Sequence, residues 1–131
     1  MAKILVIDDD EQIVEGLRKT LELEGHEVAA GGNGIEALAR LREQAASVGK
    51  VADLLIIDVI LPDMNGLEAI QEVREEFPEV KIIAISGGAR AKPDGLLRVA
   101  QRLGATHILD KPFYQADLLR SVRQLLAEEQ R

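Results

Sequence analysis

The sequence contains no cysteine, which excludes disulfides, thiolate nucleophiles and cysteine-ligated metals. Histidine is scarce too. His26 and His107 are too few for a histidine-rich metal site. Long apolar runs are missing, since none exceeds four residues, and a transmembrane helix needs about 20. Basic residues are outnumbered: 16 Lys+Arg stand against 23 Asp+Glu, a net charge of -7. That balance disfavours nonspecific binding to nucleic acid by this chain. It leaves hard-cation chemistry on carboxylates open. Met1-Ala2-Lys3 leads straight into a strand-like run with no signal-peptide pattern, so a cytoplasmic protein with no membrane partner is expected. What remains is 131 residues with 47% apolar and 30% charged content, the make-up of one soluble domain with a single sizeable core.

The apolar pattern alternates between two periods. Ile4-Leu5-Val6-Ile7, Val28-Ala29-Ala30, Leu54-Leu55-Ile56-Ile57, Ile82-Ile83-Ala84-Ile85 and His107-Ile108-Leu109 read as strands. Between them lie segments of helical period. The first carries Val14, Leu17 and Leu21 and stops near Gly25. In the second, Asn33 is placed to cap a helix with Ile35, Leu38, Ala39 and Ala45 on one side. The third presents Leu67, Ile70, Val73 and Phe77 before Pro78 ends it. A Gly- and Pro-rich loop from Ser86 to Gly95 precedes a helix with Leu96, Leu97, Ala100 and Leu103. Leu118, Val122, Leu125 and Leu126 mark the last helix. Strands that are apolar throughout are buried on both faces. Five strand-helix units in alternation therefore predict an α/β domain with a doubly wound parallel sheet and helices on both faces. No second domain, linker or repeat is visible in residues 1–131.

In such a sheet the site lies beyond the carboxyl ends of the strands. Asp8, Asp9 and Asp10 follow the first strand, Asp58 ends the third, Ser86 ends the fourth, and the fifth runs into Lys111. Each has an ordinary reading: the acids as a helix cap and first turn, Ser86 as a turn residue, Lys111 as a surface cation. Asp58 resists one, because a carboxylate closing a buried strand needs a partner. Gathered at one end, the acids repel, and a divalent cation such as Mg²⁺ resolves this with oxygen ligands. Asp58 is then placed as a nucleophile towards phosphorus, with Lys111 beside it and Ser86 able to donate to a phosphoryl oxygen.

These residues carry a resemblance. Ile4 to Asp10, the run Leu54 to Gly66 containing Asp58-Val59-Ile60-Leu61-Pro62-Asp63-Met64-Asn65-Gly66, the Ile85-Ser86-Gly87 end, and Gly104-Ala105 leading to Lys111-Pro112-Phe113 together resemble the receiver domain of bacterial two-component response regulators. The resemblance covers the whole chain. It implies a five-stranded flavodoxin-like sheet of order 2-1-3-4-5. It implies Asp58 as phospho-acceptor, and Asp8, Asp9, Asp58 and the backbone carbonyl of Ile60 as Mg²⁺ ligands, Asp9 directly and Asp8 mainly through water. Ser86 matches the switch hydroxyl and Lys111 the phosphoryl-binding lysine, followed by a cis bond to Pro112. The implied partners are a sensor histidine kinase or histidine phosphotransfer protein, and an output protein or effector domain. The implied chemistry is the chain's own phosphorylation and dephosphorylation, not catalysis on another substrate.

Two departures stand out. The family usually has an aromatic residue three before the lysine, and here that position is Ile108. The stretch from Ser86 to Lys111 is also long, the extra residues falling in the Gly87–Gly95 loop. Coupling is therefore expected through that loop and the packing of Leu96 and Leu97 on Ile108, with the output face formed by the fourth helix, fifth strand and fifth helix. Three other functions fit the sequence less well. A Mg²⁺-dependent aspartyl-phosphate hydrolase wants a second acid two residues after its nucleophile, where Ile60 stands, and a cap domain. A flavin or nucleotide binder would meet repulsion from the acids after the first strand, with no glycine-rich loop in their place. A non-phosphorylated interaction module of the same fold would not need the full set of Asp8, Asp9, Asp58, Ser86 and Lys111.

Overall fold

The structure, a computed structural model, describes residues 2–59, 66–86, 93–111 and 113–129. Its elements run β1 (Lys3–Ile7), α1 (Glu11–Leu23), β2 (Glu27–Gly31), α2 (Gly34–Val48), β3 (Leu54–Asp58), α3 (Gly66–Glu76), β4 (Lys81–Ser86), α4 (Pro93–Leu103), β5 (His107–Asp110) and α5 (Gln115–Glu129). The five strands are all parallel, in the order β2-β1-β3-β4-β5. This is the doubly wound flavodoxin-like sheet that the alternation of periods and the family resemblance predict.

The pleat sorts each apolar strand onto two cores, since successive side chains point to opposite faces. Leu5, Ile7, Leu55, Ile57, Ile82 and Ala84 face α2, α3 and α4, where they meet Leu38, Leu41, Ile70, Val73 and Ala100. Ile4, Val6, Leu54, Ile56, Ile83 and Ile85 face α1 and α5, where they meet Leu17, Leu21, Leu118, Val122 and Leu125. Every side chain of the central strand β3 is buried, whereas edge strand β2 is only partly covered. That position explains why β2 tolerates two alanines.

Local chemistry sets the helix ends. The Asn33 carboxamide oxygen accepts from Glu36 N–H at 2.9 Å and opens α2. α1 stops at Leu23, and Gly25 makes the turn at φ 89° that few other residues adopt. Three expectations shift. On α2 the buried positions are Gly34, Ala37, Leu38 and Leu41, with Ala45 partly buried, while Ile35 and Ala39 are exposed. Alanine, common on this helix, leaves its apolar stripe ambiguous, and the angle at which α2 meets the sheet chooses the side. The second strand is longer than Val28–Ala30 at both ends. Helix α4 starts at Pro93, inside the stretch expected as loop, because proline's missing N–H and fixed φ suit a first helical turn. Residues 87–92 of that loop, and the side chains of Leu96 and Leu97, lie outside the described residues.

At the opposite end of the sheet, Ala2 N–H donates to His26 Nδ1 at 3.2 Å, and Glu27 N–H donates to Ala2 O at 2.9 Å. Only an imidazole with Nδ1 unprotonated can accept. Burial pushes the His26 pKa below its ordinary value of 6.5, and Glu24 and Asp53 oppose this only in part. A depressed folded value means that the neutral ring's contribution is complete above the unfolded pKa and is lost as pH falls through the folded one. Wild-type protein should therefore lose stability relative to His26→Gln between about pH 7.5 and 5. Thermal melts across that range check it, and a gap independent of pH would contradict it.

Candidate functional site

The ends of β1, β3, β4 and β5 bring the expected side chains together. Three consecutive acids follow β1, and the structure divides them. Asp10 is the cap of α1: its carboxylate accepts from Gln12 N–H at 2.9 Å and Ile13 N–H at 3.4 Å. Asp8 turns inward and is only 2% exposed. Its Oδ1 accepts from Asp10 N–H at 2.9 Å and its Oδ2 from Lys111 Nζ at 2.7 Å. Asp9, between them, is exposed. The ordinary cap reading thus holds for Asp10 and fails for Asp8.

Asp58 closes β3 and is 4% exposed. Its Oδ2 accepts from the same Lys111 ammonium at 2.8 Å, the neighbour expected for it. Ser86, the last residue of β4, is completely buried. Its carbonyl accepts from Lys111 N–H at 2.9 Å, which fixes where the lysine leaves β5. Among the described residues its Oγ has no hydrogen-bond partner, and a buried hydroxyl in that state awaits an acceptor or donor. Ile108 is partly buried and packs against the core on the α2–α4 face, as a plain aliphatic. The Ile60 carbonyl and the Lys111–Pro112 bond lie outside the described residues.

Charge is the dominant feature. Burial pushes the Asp8 pKa up, against the hydrogen bonds from Lys111 and Asp10 N–H. Burial alone would lower the Lys111 pKa, but the hydrogen bonds to Asp58 and Asp8 outweigh it and hold the ammonium above its usual range. One cation thus serves two buried carboxylates, with Asp9 adding a third. One oxygen from each of Asp8, Asp9 and Asp58 fits within 4.8 Å of the others. A cluster of hard oxygen donors with excess negative charge suits a hard divalent cation.

Sequence reasoning missed two contributions. Glu11, Glu15 and Glu36 line the same open cleft as Asp8 and Asp9 and deepen its negative potential. Their signal was their place near the starts of α1 and α2, Glu11 and Glu36 in the first turns and Glu15 one turn on, since both helices begin at this edge. Gly66, in the sequence only the last residue of the Leu54–Gly66 run, has a steric role. A Cβ there would lie 2.3 Å from Asp58 O and 2.5 Å from Val59 Cα, so only glycine lets α3 start hard against the end of β3. Gly66 N–H then donates to Val59 O at 3.1 Å.

A parallel sheet of this order, with an acid trio, a buried hydroxyl and a lysine at its carboxyl edge, defines a flavodoxin-like α/β domain built around a cation-attracting pocket. Residues 4–123 match the family model of the response regulator receiver domain. The chain belongs to that family, and is a phosphoryl-accepting signalling switch of two-component systems. It is 32% identical over 128 residues to the response regulator receiver protein CpdR of Brucella abortus, covering 96% of this chain and 98% of that one. It is 34% identical over 127 residues to the CpxR homolog of Haemophilus influenzae, a transcriptional regulatory protein, covering 96% of this chain but 51% of the relative. The chain thus spans about half the length of the CpxR-type relatives and nearly all of CpdR. Among solved structures, a CheY-like receiver domain protein from Methanospirillum hungatei superposes with a TM-score of 0.87 at 28% identity, over 99% of this chain and 97% of that one. The BeF3-activated DrrB receiver domain gives 0.82 at 26% identity, over 97% and 98%. Receiver domains work with sensor kinases and output domains. No helix among the described residues is long and apolar enough to cross a membrane.

Proposed function

We propose that Asp58 is the phospho-acceptor and that residues 1–131 act as one receiver domain, taking the phosphoryl group from a phosphohistidine on a sensor kinase or phosphotransfer protein. The reading is carried by one observation: the Lys111 ammonium is shared between buried Asp8 and Asp58, at 2.7 and 2.8 Å, while the Ser86 hydroxyl at the end of the neighbouring strand has no partner among the described residues. An Asp58 carboxylate oxygen attacks phosphorus. The new O–P bond forms as the P–N bond to the donor histidine breaks, and the leaving nitrogen keeps the electron pair and is protonated from solvent.

Asp8, Asp9, Asp58 and the Ile60 carbonyl are the residues that would hold Mg²⁺, which when bound neutralises negative charge and polarises phosphoryl oxygens. Lys111, kept in place by Asp8, exchanges its bond to Asp58 for one to a phosphoryl oxygen. Ser86 Oγ–H donates to another phosphoryl oxygen. That movement is passed to the segment leading into α4, and the α4–β5–α5 face changes its affinity for an output partner, a shift between two populated states. The chain acts in the cytoplasm and catalyses nothing beyond its own phosphorylation and dephosphorylation.

Incubation with acetyl phosphate should add one phosphoryl group to the intact mass only when Mg²⁺ is present. Asp58→Asn should remain unmodified. A stable adduct on Asp58→Asn in the same yield would overturn the assignment.

A further inference from the structure

The end of α4 farthest from the acidic pocket is fastened in a way the phosphoryl chemistry does not require. Arg74, near the end of α3, reaches across to the α4–β5 turn. Its Nη2 donates to Gly104 O at 2.8 Å, and its Nη1 donates to Pro78 O at 2.7 Å in the turn after α3. Gly104 itself has φ 132°, a conformation that disfavours side chains. The space a Cβ would need there is filled by Arg74: Nε would lie 2.8 Å away and Cγ 3.0 Å away. The glycine and the arginine therefore fit each other. One planar fork ties two turns together, which a lysine cannot reproduce. The same end of α4 is held further by Gly104 N–H to Ala100 O at 3.1 Å, by Ala105 N–H to Ala100 O at 2.9 Å, and by Thr106 N–H to Ile82 O at 2.7 Å. Ala100 and Ala105 are buried.

The other end of α4 begins at Pro93, downstream of Ser86. A displacement of Ser86 that passes along the chain therefore reaches this helix at its amino end. We infer that α4 is a lever pivoting on its carboxyl end, with Arg74 as the pin, so that phosphorylation moves the amino end while residues 99–106 stay fixed. At about 1.5 Å per residue, the part of the helix ahead of residue 99, six residues from Pro93, is an arm about 9 Å long. A small change at Ser86 then swings one end of the output face instead of loosening the whole helix. The inference rests on the phospho-receiver reading for its trigger, but the pin itself does not.

Hydrogen exchange with and without beryllofluoride and Mg²⁺ separates the two. In wild-type protein, exchange over residues 93–98 should change on beryllofluoride addition and that over 99–106 should not. In Arg74→Ala and Arg74→Lys, residues 99–106 should exchange about tenfold faster or more without any activator, as expected for lost charge-assisted hydrogen bonds. Beryllofluoride should then alter the whole helix. Arg74→Lys keeps the stem over Gly104 and serves if the alanine variant does not fold. Unchanged basal exchange over 99–106 in folded Arg74→Lys would overturn the pin. Equal beryllofluoride responses at both ends of wild-type α4 would overturn the lever. A failure of the phospho-receiver reading would look different: beryllofluoride would then change nothing anywhere, while the basal effect of Arg74→Lys persisted.

Discussion

Lys111→Met should lower the rate of phosphoryl transfer to Asp58 by about a thousandfold, and should destabilise the Mg²⁺-free fold by about 3 kcal/mol near neutral pH. Both effects follow from one ammonium holding two carboxylates that are 2% and 4% exposed. Methionine keeps the unbranched apolar stem as far as Cε and removes the ammonium with its hydrogen bonds. Two like charges are then left together in a poorly solvated place, the costly half of a broken buried pair. The pH dependence separates this from a packing defect. The Asp8 pKa is already raised by burial above its ordinary value of 3.8, and loss of the lysine's hydrogen bond and charge raises it further. A raised folded value means that the folded state binds a proton which the unfolded state releases. The stability tied to this group is therefore present at low pH and lost as pH rises through the folded pKa. The deficit of Lys111→Met relative to wild type should consequently shrink on acidification. Urea midpoints at several pH values measure it, alongside acetyl phosphate labelling rates. A deficit constant with pH, or labelling at the wild-type rate, would contradict the shared-cation account.

Mg²⁺ should raise the melting temperature of wild-type protein, by about 10 °C at a hundredfold excess over Kd, and Asp9→Ala should abolish the shift. Asp8, Asp9 and Asp58 offer oxygens within 4.8 Å of one another, and a bound cation relieves their repulsion only in the folded state. Their roles are unequal. Both Asp8 oxygens are engaged, one by Asp10 N–H and one by Lys111, whereas Asp9 is exposed. Asp8 should therefore act on the ion mainly through water, and Asp8→Asn should weaken the shift without removing it. Differential scanning calorimetry over a Mg²⁺ titration reads this directly. Equal shifts in wild type and Asp9→Ala would show that the ion sits elsewhere.

The α/β architecture was readable because a parallel sheet buried on both faces demands uninterrupted apolar strands, and Leu54-Leu55-Ile56-Ile57 is one of several such runs alternating with helical segments. The site was readable for a related reason. A polar or charged residue at the end of such a strand is placed at the carboxyl edge, so Asp8, Asp58, Ser86 and Lys111 announced one location. What each residue does there was not readable. Asp8, Asp9 and Asp10 are the same amino acid in a row, yet one clamps a lysine, one faces solvent and one caps a helix. The difference lies in which N–H groups and which ammonium come within 3 Å or so, and Lys111 is 103 residues away along the chain. The buried side of α2 and the seat of Arg74 on Gly104 belong to the same category. Periodicity and composition act through neighbours in sequence, so they set the elements and the edge at which chemistry collects. Partners brought from distant elements divide the roles among identical side chains, because hydrogen bonds and burial act only at contact, and contact is settled by the packing of the folded chain.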